Sequence, residues 1–248
     1  MDESKEHKFG LLGRDISYSF SPAYFQSKFE ALHLDGFTYE LFDTENVADV
    51  RLIASDENLI GFNVTIPYKE SVIPHLDKLS RTAREIGAVN TVKKLADGRL
   101  KGYNTDWYGF RKALKPLLKP HHESALILGT GGASKAVAYA LREMGITFQQ
   151  VSRKSSEDAI SYDELTSSVF DKFHIVINCT PLGSSGHISA SPDIPYHYFT
   201  SRHLAFDLIY NPPQSEFLKK ASEKGAAISN GFSMLEWQAE KAWKIWNR

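Results

Sequence analysis

A glycine-rich turn between an apolar strand and a helix is the feature that most restricts the fold of this chain. Residues 124–128 form a largely apolar run, residues 129–133 read Gly-Thr-Gly-Gly-Ala, and the apolar residues of 134–144 have helical spacing. Glycines in such a turn let a pyrophosphate approach the N–H groups that begin the helix. Ser134 occupies the third glycine position of the dinucleotide-binding pattern, so a purely structural turn is the alternative. The order of strand, turn and helix favours a doubly wound domain that binds a dinucleotide.

The end of the next predicted strand bears on the kind of dinucleotide. Residues 147–151 have strand character, and Ser152, Arg153 and Lys154 follow where an NAD site places an acidic residue for the ribose 2′-hydroxyl. Two cations without a carboxylate suit a 2′-phosphate. The sequence therefore predicts NADP rather than NAD, with solvated loop cations as the alternative.

A lysine after a buried strand is a candidate reactive residue. The apolar run 59–64 predicts a strand, Pro67 ends it, and Lys69 follows at the start of a helix. A cation at that position opposes the positive end of the helix macrodipole, so another interaction must favour it. An ordinary solvated lysine is the alternative.

Composition and charge exclude several classes of protein. The 248 residues are 42% hydrophobic and 24% charged, as in globular proteins, and the formal net charge of -1 gives no overall attraction to nucleic acid or an anionic membrane. The nine histidines show no metal-ligand spacing. The N-terminus is charged rather than apolar, which argues against a signal peptide, and no run is long enough to span a membrane. The single cysteine, Cys179, agrees with a reducing cytosol. We therefore expect a cytoplasmic protein without metal, membrane or nucleic-acid partners.

The first half of the chain predicts a mixed α/β layer. Strands are expected at 8–12, 38–42 and 59–65, and Asp97-Gly98 between the strands 88–95 and 99–103 predicts an antiparallel hairpin. Ser21 is predicted to cap a helix with Pro22 at its first position and with Phe25, Phe29 and Leu32 on one face. Further helical segments are expected at 47–54 and at 69–79, the latter interrupted at Pro74.

The second half predicts a parallel sheet. A helix is expected from 105 to about 118, and strands at 124–128, 147–151, 174–178, 204–208 and 226–229 alternate with helices or loops. A last helix at 233–246 carries Trp237, Trp243 and Trp246 at a spacing that predicts partial burial.

Taken in order, these pieces resemble shikimate dehydrogenase along nearly the whole chain. The resemblance rests on eight short motifs: Ser19-Phe-Ser21-Pro22, Asn63-Val-Thr65-Ile-Pro67-Tyr-Lys69, Gly87-Ala-Val-Asn90-Thr91, Asn104-Thr-Asp106, Gly129-Thr-Gly131-Gly132-Ala133, Asn178-Cys-Thr180-Pro-Leu-Gly183, Asp207-Leu-Ile-Tyr210-Asn-Pro212 and Met234-Leu-Glu-Trp-Gln238. The family reduces 3-dehydroshikimate to shikimate with NADPH, on the route to chorismate and the aromatic amino acids. The resemblance implies a substrate domain over 1–104, joined by the C-terminal helix at about 231–248, and a Rossmann-like NADP domain over 105–230.

The resemblance also assigns the site residues. It implies that Lys69 and Asp106 are the catalytic pair, because hydride transfer to a ketone leaves an oxygen that needs a proton. Which of the two moves the proton stays open, and the sequence alone leaves Asp106 as a first-turn helix acid. The implied substrate residues are Ser19, Ser21, Thr65, Lys69, Asn90, Asp106, Tyr210 and Gln238. The implied cofactor residues are Gly129, Gly131, Gly132, Ala133, Ser152, Arg153, Lys154, Thr180, Leu208 and Gly231.

Two other functions are compatible with the same motifs. One is a quinate dehydrogenase or a dual shikimate/quinate enzyme, since a few side chains decide between these substrates. The other is a sensor of NADP or a metabolite without turnover, although keeping both Lys69 and Asp106 argues against it. Many family members have Asn-Arg-Thr where this chain has Ser152, Arg153 and Lys154. We expect a monomer or a homodimer.

Overall fold

The chain separates into two compact units. The computed structural model describes residues 6–184 and 186–248, so residues 1–5, on which the argument against a signal peptide partly rests, lie outside the described residues. The first unit contains the chain up to Thr105 together with Ala239–Arg248, and the second contains Asp106–Gln238. The segment that returns to the first unit thus begins inside the last helix.

The first unit is built on a mixed sheet. Its strands within the described residues are β1 His7–Gly13, β2 Phe37–Asp43, β3 Leu59–Val64, β4 Lys78–Leu79, β5 Thr91–Lys94 and β6 Leu100–Tyr103, in the order β2-β1-β3-β5-β6-β4. β5 runs antiparallel to β3 and β6, and the other pairings are parallel. The mixed sheet and its Asp97-Gly98 hairpin are confirmed. The carboxyl ends of β1, β3 and β6 therefore share one edge with the amino end of β5.

Aromatic packing joins the C-terminal segment to this sheet. The helices are α1 Ser21–Ala31, α2 Val50–Ile53, α3 Tyr68–Ser71 and α4 Arg81–Ile86, followed by the end of the last helix, α9 Phe232–Trp246. Phe9 of β1, Phe25 and Phe29 of α1 and Trp246 of α9 are buried in one cluster. The Trp246 indole donates to the Val92 carbonyl at 2.9 Å, so its polar atom is satisfied in the core.

Two details of α1 differ from the prediction. Ser21 is the first helical residue, and the cap position belongs to Phe20, which already has helical backbone angles (φ -75°, ψ -20°) and makes no side-chain cap. Ser19 instead accepts a hydrogen bond from the Ser21 N–H at 3.2 Å. Its side chain therefore satisfies an N–H at the start of α1, the role predicted for Ser21. Leu32 is 49% exposed because α1 ends at Ala31 and the chain turns there.

The segment after Lys69 is less helical than predicted. α3 has four residues, a 3-10 turn follows at Ile73–His75, and the chain is extended from Leu76 into β4. Pro74 lacks the N–H that would continue the helix. β4 pairs with β6 and α4 follows it, capped by Ser80 and ended by Gly87 at φ +72°. Neither β4 nor α4 was predicted, because short elements leave little periodicity.

The second unit confirms the doubly wound prediction. Its strands within the described residues are β7 Ser124–Leu128, β8 Thr147–Ser152, β9 Ala159–Ser161, β10 Ile175–Asn178, β11 Leu204–Asp207 and β12 Ala227–Ser229, in the order β12-β11-β10-β7-β8-β9. All neighbouring strands are parallel. Its helices are α5 Asp106–Leu114, α6 Gly132–Glu143, α7 Ser167–Lys172, α8 Glu216–Ser222 and the first part of α9 Phe232–Trp246.

The core of the second unit lies on both faces of its sheet. Alternate residues of β7 belong to different clusters, with Ala125 and Ile127 in one and Leu126 and Leu128 in the other. Such a strand is buried on both sides, as a parallel sheet requires. Among residues 6–184 and 186–248, no helix has the length and apolar character needed to cross a membrane.

Candidate active site

The first unit places its candidate residues at one edge of its sheet. Ser19 follows β1, Thr65 follows β3, and Asn90 precedes β5, so all three lie where the carboxyl ends of β1 and β3 meet the start of β5. The Thr65 N–H donates to the Leu12 carbonyl at 2.9 Å, which fixes the loop after β3 to β1. Ser21 and Lys69 lie at the starts of α1 and α3, which follow β1 and β3.

The backbone around Lys69 is held from both sides. The Tyr68 hydroxyl donates to the Thr44 carbonyl at 2.7 Å and the Tyr68 N–H donates to the Thr65 carbonyl at 2.8 Å. The Lys69 carbonyl accepts a hydrogen bond from Val89 at 2.7 Å, beside Asn90. Tyr68 is buried, whereas Lys69 is only partly buried. A rigid backbone therefore presents a partly accessible ammonium group, which is the arrangement a site lysine needs.

Asn90 belongs to a buried hydrogen-bond network. Its Oδ1 accepts from the Thr105 N–H at 2.6 Å and its Nδ2 donates to Thr105 Oγ1 at 3.0 Å. The Asn63 amide donates to the Asn90 carbonyl and to Thr91 Oγ1, both at 3.1 Å. The amide of Asn90 is thus oriented by a backbone N–H, and it fixes the residue that precedes Asp106. Asn90 is one of the predicted substrate residues, whereas Asn63 was not predicted to have a role, because a buried amide leaves no periodic signal.

The two serines have different hydrogen bonds. Ser19 Oγ accepts the Ser21 N–H at 3.2 Å, as described for α1. The Ser21 hydroxyl bonds the Tyr39 phenol, whose own proton goes to Asn63 Oδ1 at 2.9 Å. Burial raises the pKa of Tyr39, so the phenol stays neutral.

In the second unit, the glycine turn (residues 129–133) leads from β7 into α6. Gly129 has φ +109°, a conformation that favours glycine. Gly131 caps α6 and is exposed, and a Cβ added there meets nothing within 4 Å. Ser134, in the third glycine position, is fully buried and its hydroxyl donates to the Gly131 carbonyl at 2.6 Å. The turn therefore leaves the start of α6 open to an anion.

The cations predicted for a 2′-phosphate follow β8. Arg153 and Lys154 are exposed, and the Ser152 hydroxyl bonds the Lys154 carbonyl in a local turn. Burial raises the pKa of Tyr162, and the nearby Arg153 charge opposes that shift. The charge set after β8 fits a phosphorylated ribose. The open helix start after β7 fits a pyrophosphate.

A buried carboxylate organises the loops after β10 and β11. Asp207 accepts from Asn178 Nδ2 and from the Ile209 N–H, both at 3.0 Å, and from the Ser215 hydroxyl. Asn178 Oδ1 in turn accepts the Thr180 N–H at 3.0 Å and the Thr180 hydroxyl at 2.7 Å. Burial is the main cause that raises the pKa of Asp207 to about 6. Asp207 lies in one of the eight motifs but was not a predicted site residue, although an acid at the end of an apolar strand was the available signal.

The remaining candidates of the second unit lie near the same strand end or on α5 and α9. Gly231 donates its N–H to the Ile209 carbonyl at 3.0 Å, and an added Cβ would lie 2.1 Å from the Leu208 oxygen, so only glycine fits. Asp106 is the buried first residue of α5. Gln238 is buried on α9, and Tyr210 follows β11. Among the described residues, no cluster of His, Cys, Asp or Glu side chains could hold a metal ion.

The fold and these sites define a class. An all-parallel, doubly wound sheet with an open glycine turn, joined to a second α/β unit with a polar sheet edge, is typical of two-unit dinucleotide-binding enzymes. The family model described as the shikimate dehydrogenase substrate binding domain matches residues 11–92.

Relatives cover nearly the whole chain. The NADP(+) shikimate dehydrogenase of Caldicellulosiruptor bescii is 36% identical over 96% of this chain and 88% of its own length, and that of Methanococcus maripaludis is 36% identical over 99% and 94%. The Thermus thermophilus enzyme, solved with NADP(H) and shikimate, has a TM-score of 0.83 at 35% identity, covering 97% of this chain and 93% of its own. The Corynebacterium glutamicum quinate dehydrogenase, solved with NAD, has a TM-score of 0.85 at 28% identity, covering 97% and 93%. The chain belongs to the shikimate dehydrogenase family.

Proposed function

We propose that this protein catalyses the reversible, NADP-dependent reduction of 3-dehydroshikimate to shikimate, a step towards chorismate and the aromatic amino acids. One observation carries the proposal within this family. Ser19, Thr65 and Asn90 lie on loops at one edge of the first sheet, and the Lys69 backbone is fixed beside Asn90. Hydroxyl and amide groups offer donors and acceptors together, as a small polyol acid requires.

The proposed mechanism gives the protein two tasks, orientation and proton transfer. NADPH, when bound, supplies the hydride that reduces the ketone. We assign the substrate carboxylate to Ser19 and Ser21, with Thr65 and Tyr210 nearby. The ring hydroxyls are assigned to Asn90, Asp106 and Gln238. Lys69 and Asp106 are the proposed catalytic pair. They stabilise the alkoxide oxygen left after hydride transfer, supply its proton during reduction and accept that proton during oxidation. The rigid backbone on both sides of Lys69 supports this role, because proton transfer requires a fixed donor geometry.

The proposed cofactor contacts follow the strand ends of the second unit. The backbone at Gly129, Gly131, Gly132 and Ala133 is assigned to the pyrophosphate. Ser152, Arg153 and Lys154 are assigned to the 2′-phosphate, and Thr180, Leu208 and Gly231 to the rest of the cofactor. We further propose a cytoplasmic location, supported by the lone cysteine, and a monomeric or homodimeric state.

The test is NADP-linked absorbance with shikimate and then quinate, each offered with NADP and with NAD. We expect shikimate with NADP to give the highest kcat/KM. Quinate carries one more hydroxyl at the carboxylate-bearing carbon, and burying it without a partner costs about 1 to 3 kcal/mol, or roughly tenfold or more in kcat/KM. A quinate kcat/KM equal to that of shikimate contradicts the assignment. Cofactor binding without turnover of either polyol would identify a sensor.

A further inference from the structure

Two sets of strand ends in the second sheet are expected to bind the two halves of a dinucleotide. β7 carries the glycine turn, β8 on one side carries Arg153 and Lys154, and β10 and β11 lie on the other side. Ligands of doubly wound sheets lie across the carboxyl ends at the point where the strand order reverses. Since the adenosine 2′-phosphate is assigned to the β8 side, the nicotinamide half extends towards β10 and β11. This placement rests on the proposed function.

Asp207, the last residue of β11, is a buried charge at that side of the site. It is 0% exposed, and its three hydrogen-bond partners are the neutral groups of Asn178, Ile209 and Ser215. Within residues 6–184 and 186–248, no lysine or arginine forms an ion pair with it. Besides burial, the charge of Asp207 contributes to raising the pKa of the neighbouring phenol of Tyr196. Burial raises the pKa of Tyr196, so this phenol stays neutral and does not compensate the carboxylate.

Burying a carboxylate without a counter-charge has a high free-energy cost if its only role is to connect the loops after β10 and β11. Burying an unpaired charge is much less favourable than burying a neutral hydrogen-bonded group. An asparagine oxygen at position 207 would accept equally from Asn178 and from the Ile209 N–H. Burial raises the pKa of Asp207 to about 6, so the group is ionised at pH 8. The hydrogen bonds alone therefore do not account for an acid, and the negative charge itself needs a function.

We infer that the Asp207 carboxylate biases this site towards the oxidised cofactor. The nicotinamide ring carries a positive charge in NADP+ and none in NADPH, so a fixed negative charge on the β11 side favours the oxidised form alone. We expect this attraction to change the affinity for the oxidised form by roughly tenfold, equivalent to ~1.4 kcal/mol. The rest of the cofactor is identical in the two forms and cancels from the comparison.

The test compares dissociation constants rather than turnover. Calorimetric titration at pH 8 with NADP+ and with NADPH is carried out on the wild type, Asp207→Asn and Ser215→Ala. Asp207→Asn should raise Kd for NADP+ about tenfold and leave Kd for NADPH nearly unchanged. Ser215→Ala removes the hydrogen bond to Asp207 and the cap of α8 but keeps the charge, so its ratio of the two Kd values should equal that of the wild type.

The outcomes separate the charge from the structural role. An equal loss for both cofactor forms in Asp207→Asn, or an unchanged ratio, would overturn the inference. If Asp207→Asn does not fold, the wild type at pH 8 and pH 5.5 supplies the same comparison, because protonation of Asp207 should abolish most of the preference for NADP+. A ratio of the two Kd values that is the same at pH 8 and at pH 5.5 would also contradict the inference. A wild type that binds neither form contradicts the proposed function instead.

Discussion

The two sheet edges that carry the candidate residues are built in contrasting ways. At the edge of the first unit, side chains fix one another: Asn63, Asn90, Thr91 and Thr105 are buried and joined by hydrogen bonds. At the edge of the second unit, the exposed groups are an open glycine, a helix start and the cations after β8. We therefore expect the first edge to recognise its ligand through side chains, and the second edge through backbone N–H groups and charge.

The contrast between the two edges predicts which kind of substitution should impair each unit most. A small polyol acid needs donors and acceptors in fixed directions, which only particular side chains supply. A long anionic cofactor binds free N–H groups and cations, which many sequences can supply provided the backbone stays accessible. Deleting a side chain should therefore be most damaging in the first unit. In the second unit, the informative changes remove a charge or add a methyl group.

The greatest loss of activity is expected for a substitution in the first unit. Lys69→Ala should lower kcat by about 10² to 10⁴-fold, because loss of an acid-base group typically costs that much. Cofactor Kd and the unfolding midpoint should stay close to those of the wild type. Lys78→Ala, which removes an exposed lysine of β4 in the same unit, is the matched control and should keep full activity. A Lys69→Ala enzyme with more than about a third of wild-type kcat would remove Lys69 from proton transfer.

The next effect tests charge recognition in the second unit. Arg153→Ala should raise KM for NADP by about tenfold to a hundredfold and change KM for NAD much less, since only NADP carries the 2′-phosphate and a hydrogen bond to a charged group is worth roughly 1.5 to 3 kcal/mol. Arg202→Ala removes an exposed arginine just before β11, at the opposite edge of the sheet, and should change neither value. Equal losses for both cofactors in Arg153→Ala would assign Arg153 a structural role or a place against the adenine.

The same contrast explains what the sequence could predict. Patterns of apolar residues and turns gave both sheets, the hairpin at Asp97-Gly98 and the helix after the glycine turn, because each reflects local periodicity. Hydrogen bonds between distant residues leave no such pattern. Asn63 of β3 donates a hydrogen bond to the Asn90 carbonyl just before the neighbouring strand β5, and Asp207 accepts one from Ser215 on the far side of a loop. Serine is a residue type favoured at helix caps, but Phe20 already has helical backbone angles, so Ser21 lies inside the helix and Ser19 accepts the N–H instead.

The smallest expected effect is the most direct test of backbone recognition. Gly131 has φ -79°, and a Cβ at this position meets nothing within 4 Å. Alanine should therefore fit the free protein, and the unfolding midpoint of Gly131→Ala should match that of the wild type. If the cofactor pyrophosphate approaches the start of α6, the added methyl group must displace it, and we expect Kd for NADP to rise by about tenfold, equivalent to ~1.4 kcal/mol.

Gly231→Ala is the matched comparison for that measurement. Its Cβ would lie 2.1 Å from the Leu208 oxygen, a backbone atom that has little freedom to move. This variant should lose both stability and NADP affinity, because the protein itself excludes the methyl group. Gly131→Ala should lose affinity alone, because only the bound cofactor excludes it. An unchanged Kd for NADP in a stable Gly131→Ala protein would show that the cofactor does not approach this turn, and the contrast between the two edges would then rest on charge alone.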